Sequence, residues 1–327
     1  MRFRRSSLHA IALILALVAL AGLSAPACAT LLCTFTITNL NFGTVDLTAN
    51  ATVDTTATFS ANCSGGSGFA NARICPNINA GSGGVGSGGN PRFMLNGANQ
   101  LKYNLYQDSA RTTIWGSYLW SSPSVTPPTI NITLNSSGAG STSATIFGRV
   151  SAAQQTLPPG TYTSSFTGTQ TQIAYQQTSS QSCATIGSTN ATSASFTVTA
   201  TYSSVCHLAG TNLNFGSTGV LVSSVAGTST VTATCSATTP YTVGLNGGNA
   251  NASDPTQRKM ANGAVQITYG LYQNSAHTSP WGNVSTNWVG GTGSGLGQGL
   301  TVFGLIPAQT TPAPATYSDT IVATVTY

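Results

Sequence analysis

The hexapeptide Thr-Asn-Leu-Asn-Phe-Gly occurs twice, at residues 38–43 and 211–216, each time a few residues after a cysteine, Cys33 or Cys206. The correspondence continues downstream. Cys63 is answered by Cys235, Asn96-Gly97-Ala98 by Asn262-Gly263-Ala264, Tyr103 by Tyr269, and Leu105-Tyr106-Gln107-Asp108 by Leu271-Tyr272-Gln273-Asn274. Trp115-Gly116 reappears as Trp281-Gly282, Phe147-Gly148 as Phe303-Gly304, and Thr161-Tyr162 as Thr316-Tyr317. Solenoid repeats are several times shorter than this period, so the pattern predicts one domain written twice. The chain divides into a leader over residues 1–29, copy one over 30–202 and copy two over 203–327. Each copy is long enough for a core of its own.

The leader reads as an export signal. Arg2, Arg4 and Arg5 form a basic start, residues 11–20 are apolar, and Ala27-Cys28-Ala29 offers a small-residue cleavage site. The apolar run is too short for a permanent membrane span. Cleavage is expected after Ala29. A rival cut after Ala27 would leave Cys28 at the new terminus, as in a lipoprotein, although Ala25 stands where such signals usually carry Leu. Of seven cysteines, removal of Cys28 leaves an even number, and export makes disulfides the default. The repeat proposes Cys33–Cys63 and Cys206–Cys235; Cys75 and Cys183 then pair by elimination. With no Cys-x-x-Cys, and only His207 and His277 beyond the leader, a metal site is not expected.

Charge excludes further classes. The chain has ten Lys and Arg, five Asp and no Glu, and three of the ten cations leave with the leader. The remaining net charge of about +2 supplies no basic patch for nucleic acid. Neither histidine lies in a Gly-x-Ser-x-Gly elbow, Asp108 is Asn274 in copy two, and the five aspartates are scattered. No nucleophile–base pair or carboxylate pair stands out, so neither enzyme activity nor a cofactor is expected. The glycine-rich run 81–89 lacks the Gly-Lys-Ser/Thr of a phosphate loop. What remains is a chain rich in Thr, Ser, Gly and Asn. Residues 197–202 and, apart from Val322, 320–327 alternate small polar with apolar side chains, the period of half-buried strands. Short strands, frequent turn signals and no amphipathic helical stretch predict an all-β sandwich or barrel for each copy.

Copy one is about 50 residues longer than copy two, the excess lying at residues 64–91, 118–137 and 169–202. After the shared Tyr162/Tyr317, copy two has one terminal strand. Copy one has a strand-like run to about Tyr175, a polar loop with Cys183, and a second strand at 195–202. Either could match residues 320–327, but copy one holds one strand more. Copy two is therefore expected to lack an edge, which invites β-augmentation by another chain. Only Thr30, Leu31 and Leu32 separate the cleavage site from Cys33, so no donor strand is expected at that end. The binding candidates belong to copy one. The segment from Ile114 through Trp115 to Tyr118, Leu119 and Trp120 reads either as an exposed apolar finger or as local core, with Trp115 shared by both copies as Trp281. The glycine run around Val85 reads either as a surface loop or as a mobile contact loop.

These residues resemble the spore coat protein U domain, the subunit fold of archaic, Csu-type chaperone–usher pili. The resemblance rests on Cys…Asn-Leu-Asn-Phe-Gly, a second Cys about 30 residues on, Tyr-x-Leu-Tyr-Gln-Asp/Asn, the later Phe-Gly and the terminal Thr-Tyr-Ser-Asp-Thr…Thr-Val-Thr-Tyr. It covers nearly all of copy two, and the ends and middle of copy one. It implies two tandem immunoglobulin-like β-sandwich domains, the C-terminal one incomplete. It further implies a periplasmic pilus chaperone, an outer-membrane usher, an adjacent pilin subunit that donates a strand to 203–327, and display at the cell surface. A complete domain ahead of an incomplete one is similar to a tip adhesin gripping an abiotic or host surface and promoting biofilm. A spore or cell coat protein of the same domain family, or a secreted lectin, are the alternatives.

Overall fold

A computed structural model describes residues 30–87, 90–118, 126–178 and 180–327. The expected leader, Leu119 and Trp120 lie outside the described residues. Copy one contains β1 (Leu32–Ile37), β2 (Leu40–Val45), β3 (Val53–Ser64), β4 (Asn71–Pro76), β5 (Arg92–Asn96) and β6 (Asn99–Tyr106). It continues with β7 (Ile130–Thr133), β8 (Gly140–Val150), β9 (Gly160–Phe166), β10 (Gln172–Gln177), β11 (Thr192–Ser193) and β12 (Phe196–Tyr202). Copy two contains β13 (Cys206–Gly210), β14 (Val225–Cys235), β15 (Pro240–Leu245) and β16 (Arg258–Asn262). Its remaining strands are β17 (Val265–Tyr272), β18 (Val289–Thr292), β19 (Gly297–Ile306) and β20 (Ala323–Thr326).

Each copy is an immunoglobulin-like sandwich. In copy one a sheet ordered β1-β3-β8-β6-β5-β9-β12-β2 faces a smaller one ordered β11-β10-β4-β7. In copy two the sheets run β13-β14-β19-β17-β16 and β18-β15-β20. The period-2 pattern shows in β12, where Phe196, Val198, Ala200 and Tyr202 are buried and the residues between them are not. Phe59, Met94, Leu105, Trp115, Tyr162 and Val198 belong to one core; Val243, Tyr269, Trp281 and Val302 belong to the other. Tyr162 and Tyr317 each donate their hydroxyl to a carbonyl four residues back, Pro158 and Ala313, closing the same corner twice.

Three disulfides staple the chain. Cys33–Cys63 and Cys206–Cys235 join residues directly opposite in antiparallel pairs, each with Cα atoms 4.0 Å apart. Cys75–Cys183 ties the helical turn Cys183–Ile186 to β4 across 108 residues of sequence. The terminal-strand question resolves by pairing. β10 pairs with β4 as β20 pairs with β15. β2 and β9 correspond to residues 211–216 and 316–318, which form no named strand in copy two, whereas β12, with the two-residue β11 before it, has no counterpart there at all; β12 is the strand that copy two lacks.

Candidate functional site

The repeated hexapeptide is a wall built to take a strand. In copy one, Thr38 Oγ1 accepts from the Thr58 amide at 2.9 Å and Asn41 Oδ1 from the Gly43 amide at 2.8 Å. The backbone can turn there because Gly43 adopts φ +68°, a conformation that suits residues without a Cβ. Leu40 and Phe42 then point inward. β12 lies alongside, parallel to β2 and antiparallel to β9. Asn39 Oδ1 accepts from the Thr197 amide at 2.9 Å, and Thr199 Oγ1 donates to Asn41 Oδ1 at 3.3 Å. With β12 in place Leu40 is fully buried and Phe42 nearly so.

Copy two repeats the wall and leaves its partner out. Thr211 Oγ1 accepts from the Thr230 amide at 2.9 Å, Asn214 Oδ1 from the Gly216 amide at 2.8 Å, and Gly216 adopts φ +76°. Leu213 and Phe215, the counterparts of Leu40 and Phe42, are only half-buried. Between them and the facing residues Tyr317, Asp319 and Ile321 runs a groove of about 630 Å³ floored by Tyr269, Leu271 and Val302. It continues for about 480 Å³ between Gly216–Ser217 and Pro312–Ala313. Thr316-Tyr317-Ser318 follows the course of β9, and the bridge Ala261↔Ser318 repeats Leu95↔Thr163. The groove is the space that β12 occupies in copy one.

One carboxylate stands in this apolar trough. Asp319 Oδ2 accepts from the Tyr269 hydroxyl at 2.7 Å, and Oδ1 accepts from the amides of Asn249 and Thr320, each at 2.8 Å. Burial, followed by this hydrogen bond to Asp319, pushes the Tyr269 phenol far above its ordinary range. The groove holds hydrogen-bonding edges and apolar pockets, which is the chemistry of strand recognition. Among the described residues no group of three or more His, Cys, Asp or Glu is placed to hold a metal.

Each floor is braced by a buried arginine. Arg92 donates to the carbonyls of Asn79, Ile78 and Trp115 at 2.6–2.8 Å and to Asn104 Oδ1 at 2.6 Å. Burial lowers its pKa to about 10. Arg258 donates to the carbonyls of Asn246, Pro255, Leu245 and Trp281. Trp115 and Trp281 answer with indole bonds to Pro76 O and Val243 O. Sequence reading placed Trp115 and Trp281 together but passed over the arginines, although Arg-x-Met-x-Asn-Gly occurs at both 92–97 and 258–263.

A sequence model of the Spore Coat Protein U domain matches residues 19–169 and 192–324. The chain belongs to the Spore Coat Protein U domain family. The second spore coat U match opens at residue 192 and so takes in β12, the strand that closes copy one. Protein U of Myxococcus xanthus is 30% identical over 130 residues, which is 36% of this chain and 73% of that protein. One chain of the CsuC–CsuE chaperone–tip adhesion subunit complex from archaic chaperone–usher Csu pili of Acinetobacter baumannii shares the fold. Its TM-score is 0.54 at 14% identity, over 90% of this chain and 100% of that one. The CupB6 tip adhesin of Pseudomonas aeruginosa is a weaker likeness, with a TM-score of 0.36 at 11% identity over 90% and 93%.

The surface candidates of this spore coat U protein are scattered. Ile114 is half-buried and bridges Tyr106. Val85 is half-buried in a bridge to Arg92, and the start of its run, Gly81 and Ser82, packs on β9, where the Ser82 amide donates to Ser165 O at 2.9 Å. Tyr118 is 41% exposed, with its amide bonded to Asn77 Oδ1. Among the described residues, the most exposed aromatic of copy one is Phe69, at 76%, with φ +59° in the loop between β3 and β4. A bulky residue in the left-handed region is a genuine outlier. No periodicity signals it; only its place inside the copy-one insertion 64–91 does.

Proposed function

We propose that the chain is the tip adhesin subunit of an archaic chaperone–usher pilus. In this reading it crosses the periplasm in the hands of a pilus chaperone, passes an outer-membrane usher, and is displayed at the pilus tip on the cell surface. Copy two receives a strand from the adjacent pilin subunit. Copy one contacts an abiotic or host surface and so promotes biofilm formation.

The observation that carries the reading is one strand position filled in copy one and open in copy two. A sandwich that contains its own last strand stands alone and is free to carry a contact surface. A sandwich that lacks it exposes unpaired backbone and apolar side chains, which must be covered during transit and again after assembly. Backbone pairing supplies affinity in such β-augmentation and the pockets for alternate side chains supply specificity. The chaperone–tip subunit complex that shares the fold supports the same reading. The description of the family as spore coat favours a coat protein as the second reading, and the groove would serve strand exchange there too.

The test is capture. The mature chain, expressed with a pilus chaperone, should purify as a one-to-one complex, and Leu213→Asp with Phe215→Asp should lower its yield at least tenfold. A wild-type chain that is monomeric, melts cooperatively without a bound strand and shows the groove closed would refute the proposal.

A further inference from the structure

The two strand positions are not chemically alike, and the difference lies at one residue. β9 runs Thr161-Tyr162-Thr163-Ser164, and the facing wall of copy two runs Thr316-Tyr317-Ser318-Asp319. Ser164 in copy one is therefore Asp319 in copy two. In copy one the residue opposite Ser164 is Val198, which pairs with Leu40 on its other side and is fully buried. Transferred to copy two, this register places one side chain of any incoming strand between Asp319 and Leu213. Its neighbours two residues away on either side meet Ile321 and Tyr317.

We propose that Asp319 selects the strand that copy two accepts, favouring an occupant whose side chain opposite it donates a hydrogen bond. The inference rests on the strand-acceptor reading above and specifies the partner within it. Asp319 already accepts three hydrogen bonds, from Tyr269, Asn249 and Thr320. An ionised carboxylate offers about four acceptor sites. While the groove is open, Asp319 is partly exposed and the remaining one is within reach of solvent. An inserted strand shuts that solvent out, and a buried acceptor left without a donor is costly. Valine at this position offers only methyl groups. Threonine has the same shape and adds a hydroxyl. Copy two therefore disfavours the very strand that completes copy one, and β12 of one molecule is a poor occupant for copy two of another. The occupant is a strand of a second subunit with apolar residues facing Ile321 and Tyr317 and a donor-bearing residue between them facing Asp319.

Two labelled peptides test this on the oxidised full chain by fluorescence anisotropy. One has the sequence of residues 195–202; the other carries Val198→Thr. The threonine peptide should bind the wild-type chain about tenfold more tightly, the factor a charge-assisted hydrogen bond provides. In Asp319→Ser, which installs the copy-one residue, the preference should fall below about twofold. Asp319→Asn retains an acceptor for Tyr269 and serves as the second variant should the first misfold. The same two segments, fused after Tyr327 through a flexible linker, give an independent readout in the urea midpoint of copy two. If both peptides bind wild type equally, or the preference survives in both variants, Asp319 only anchors Tyr269 and its loop, and the inference falls while the acceptor reading stands. If neither peptide binds, the register carried over from copy one does not hold in copy two and the inference falls, while chaperone capture still decides the acceptor reading.

Discussion

Arg92 and Arg258 put guanidinium groups where a sandwich ordinarily packs hydrocarbon, and both are fully buried. They persist there because carbonyls surround them: each fork organises the backbone after β4 or β15 and fixes the carbonyl of the core tryptophan. A lysine in place of Arg92 has one short point of donation where Arg92 serves Asn79, Ile78, Trp115 and Asn104. Arg92→Lys should therefore cost about 3 kcal/mol, the sum of stranded carbonyls and a badly paired buried cation. Urea unfolding of the oxidised chain measures it, and a loss below about 1 kcal/mol would mean the fork is dispensable. The repeat displayed both arginines in sequence. Their role stayed illegible because arginine is normally a surface residue, and nothing local marks one as buried.

At the scale of elements, β12 decides the difference between the copies. It forms seven residue pairs with β9 and four with β2, and it buries Phe196, Val198, Ala200 and Tyr202. Burying a Val- or Phe-sized side chain contributes roughly 1.5–3 kcal/mol, so the three large ones together supply about 5–9 kcal/mol. That is comparable with the whole stability of a domain, about 5–15 kcal/mol. A fragment of residues 30–202 should accordingly be monomeric and melt cooperatively once oxidised. A fragment ending at residue 190, which keeps Cys183 and its bridge, should aggregate unless the 195–202 peptide is present. Size-exclusion chromatography and thermal melts distinguish the two outcomes; a well-behaved 30–190 fragment would show β12 to be dispensable. That copy one holds a strand with no counterpart was legible from the runs that follow the shared Tyr162 and Tyr317. Which strand was extra was not, because both β10 and β12 are short strand-like runs following Tyr162 and only pairing shows which of them corresponds to β20.

The whole molecule has a joint and a far pole. At the joint, Asp46 Oδ2 lies 2.8 Å from His207 Nε2, and Val205 packs against the copy-one core while it exchanges hydrogen bonds with Ser236 of copy two. Burial pushes Asp46 upward, but hydrogen bonds from Thr48 and His207 outweigh it and hold the carboxyl below its ordinary range. The Val53–Val150 end of β3 and β8 faces this joint, since the following Gln155 meets Gly295 of copy two. The loop after Ser64 lies at the opposite end, with exposed Leu32 opposite Ser64 and Phe69 projecting beyond. Strain in a solvent-facing aromatic motivates a functional reading. Phe69→Asn suits the left-handed backbone and should leave stability unchanged or raise it by about 1 kcal/mol. On the tip reading the same change should weaken attachment to apolar surfaces severalfold, because the lost contact recurs on every pilus. Normal attachment by a folded Phe69→Asn protein would move the contact elsewhere, with Tyr118 the next residue to change.

Composition, period-2 patterning and the long repeat by themselves determined an all-β chain of two like domains, the sites of the cysteine staples and the missing strand of copy two. These follow from rules that are local or that compare one stretch with another. Tertiary structure alone decided that residues 38–43 and 211–216 line a strand position, filled in copy one and open in copy two, because a wall is defined by what lies beside it and not by its own sequence. It alone put Asp319 opposite an empty position, since register across a sheet depends on which strands meet. It also packed Gly81 and Ser82 against β9 and left Phe69 in the open, because backbone dihedral and exposure are set by the surrounding chain.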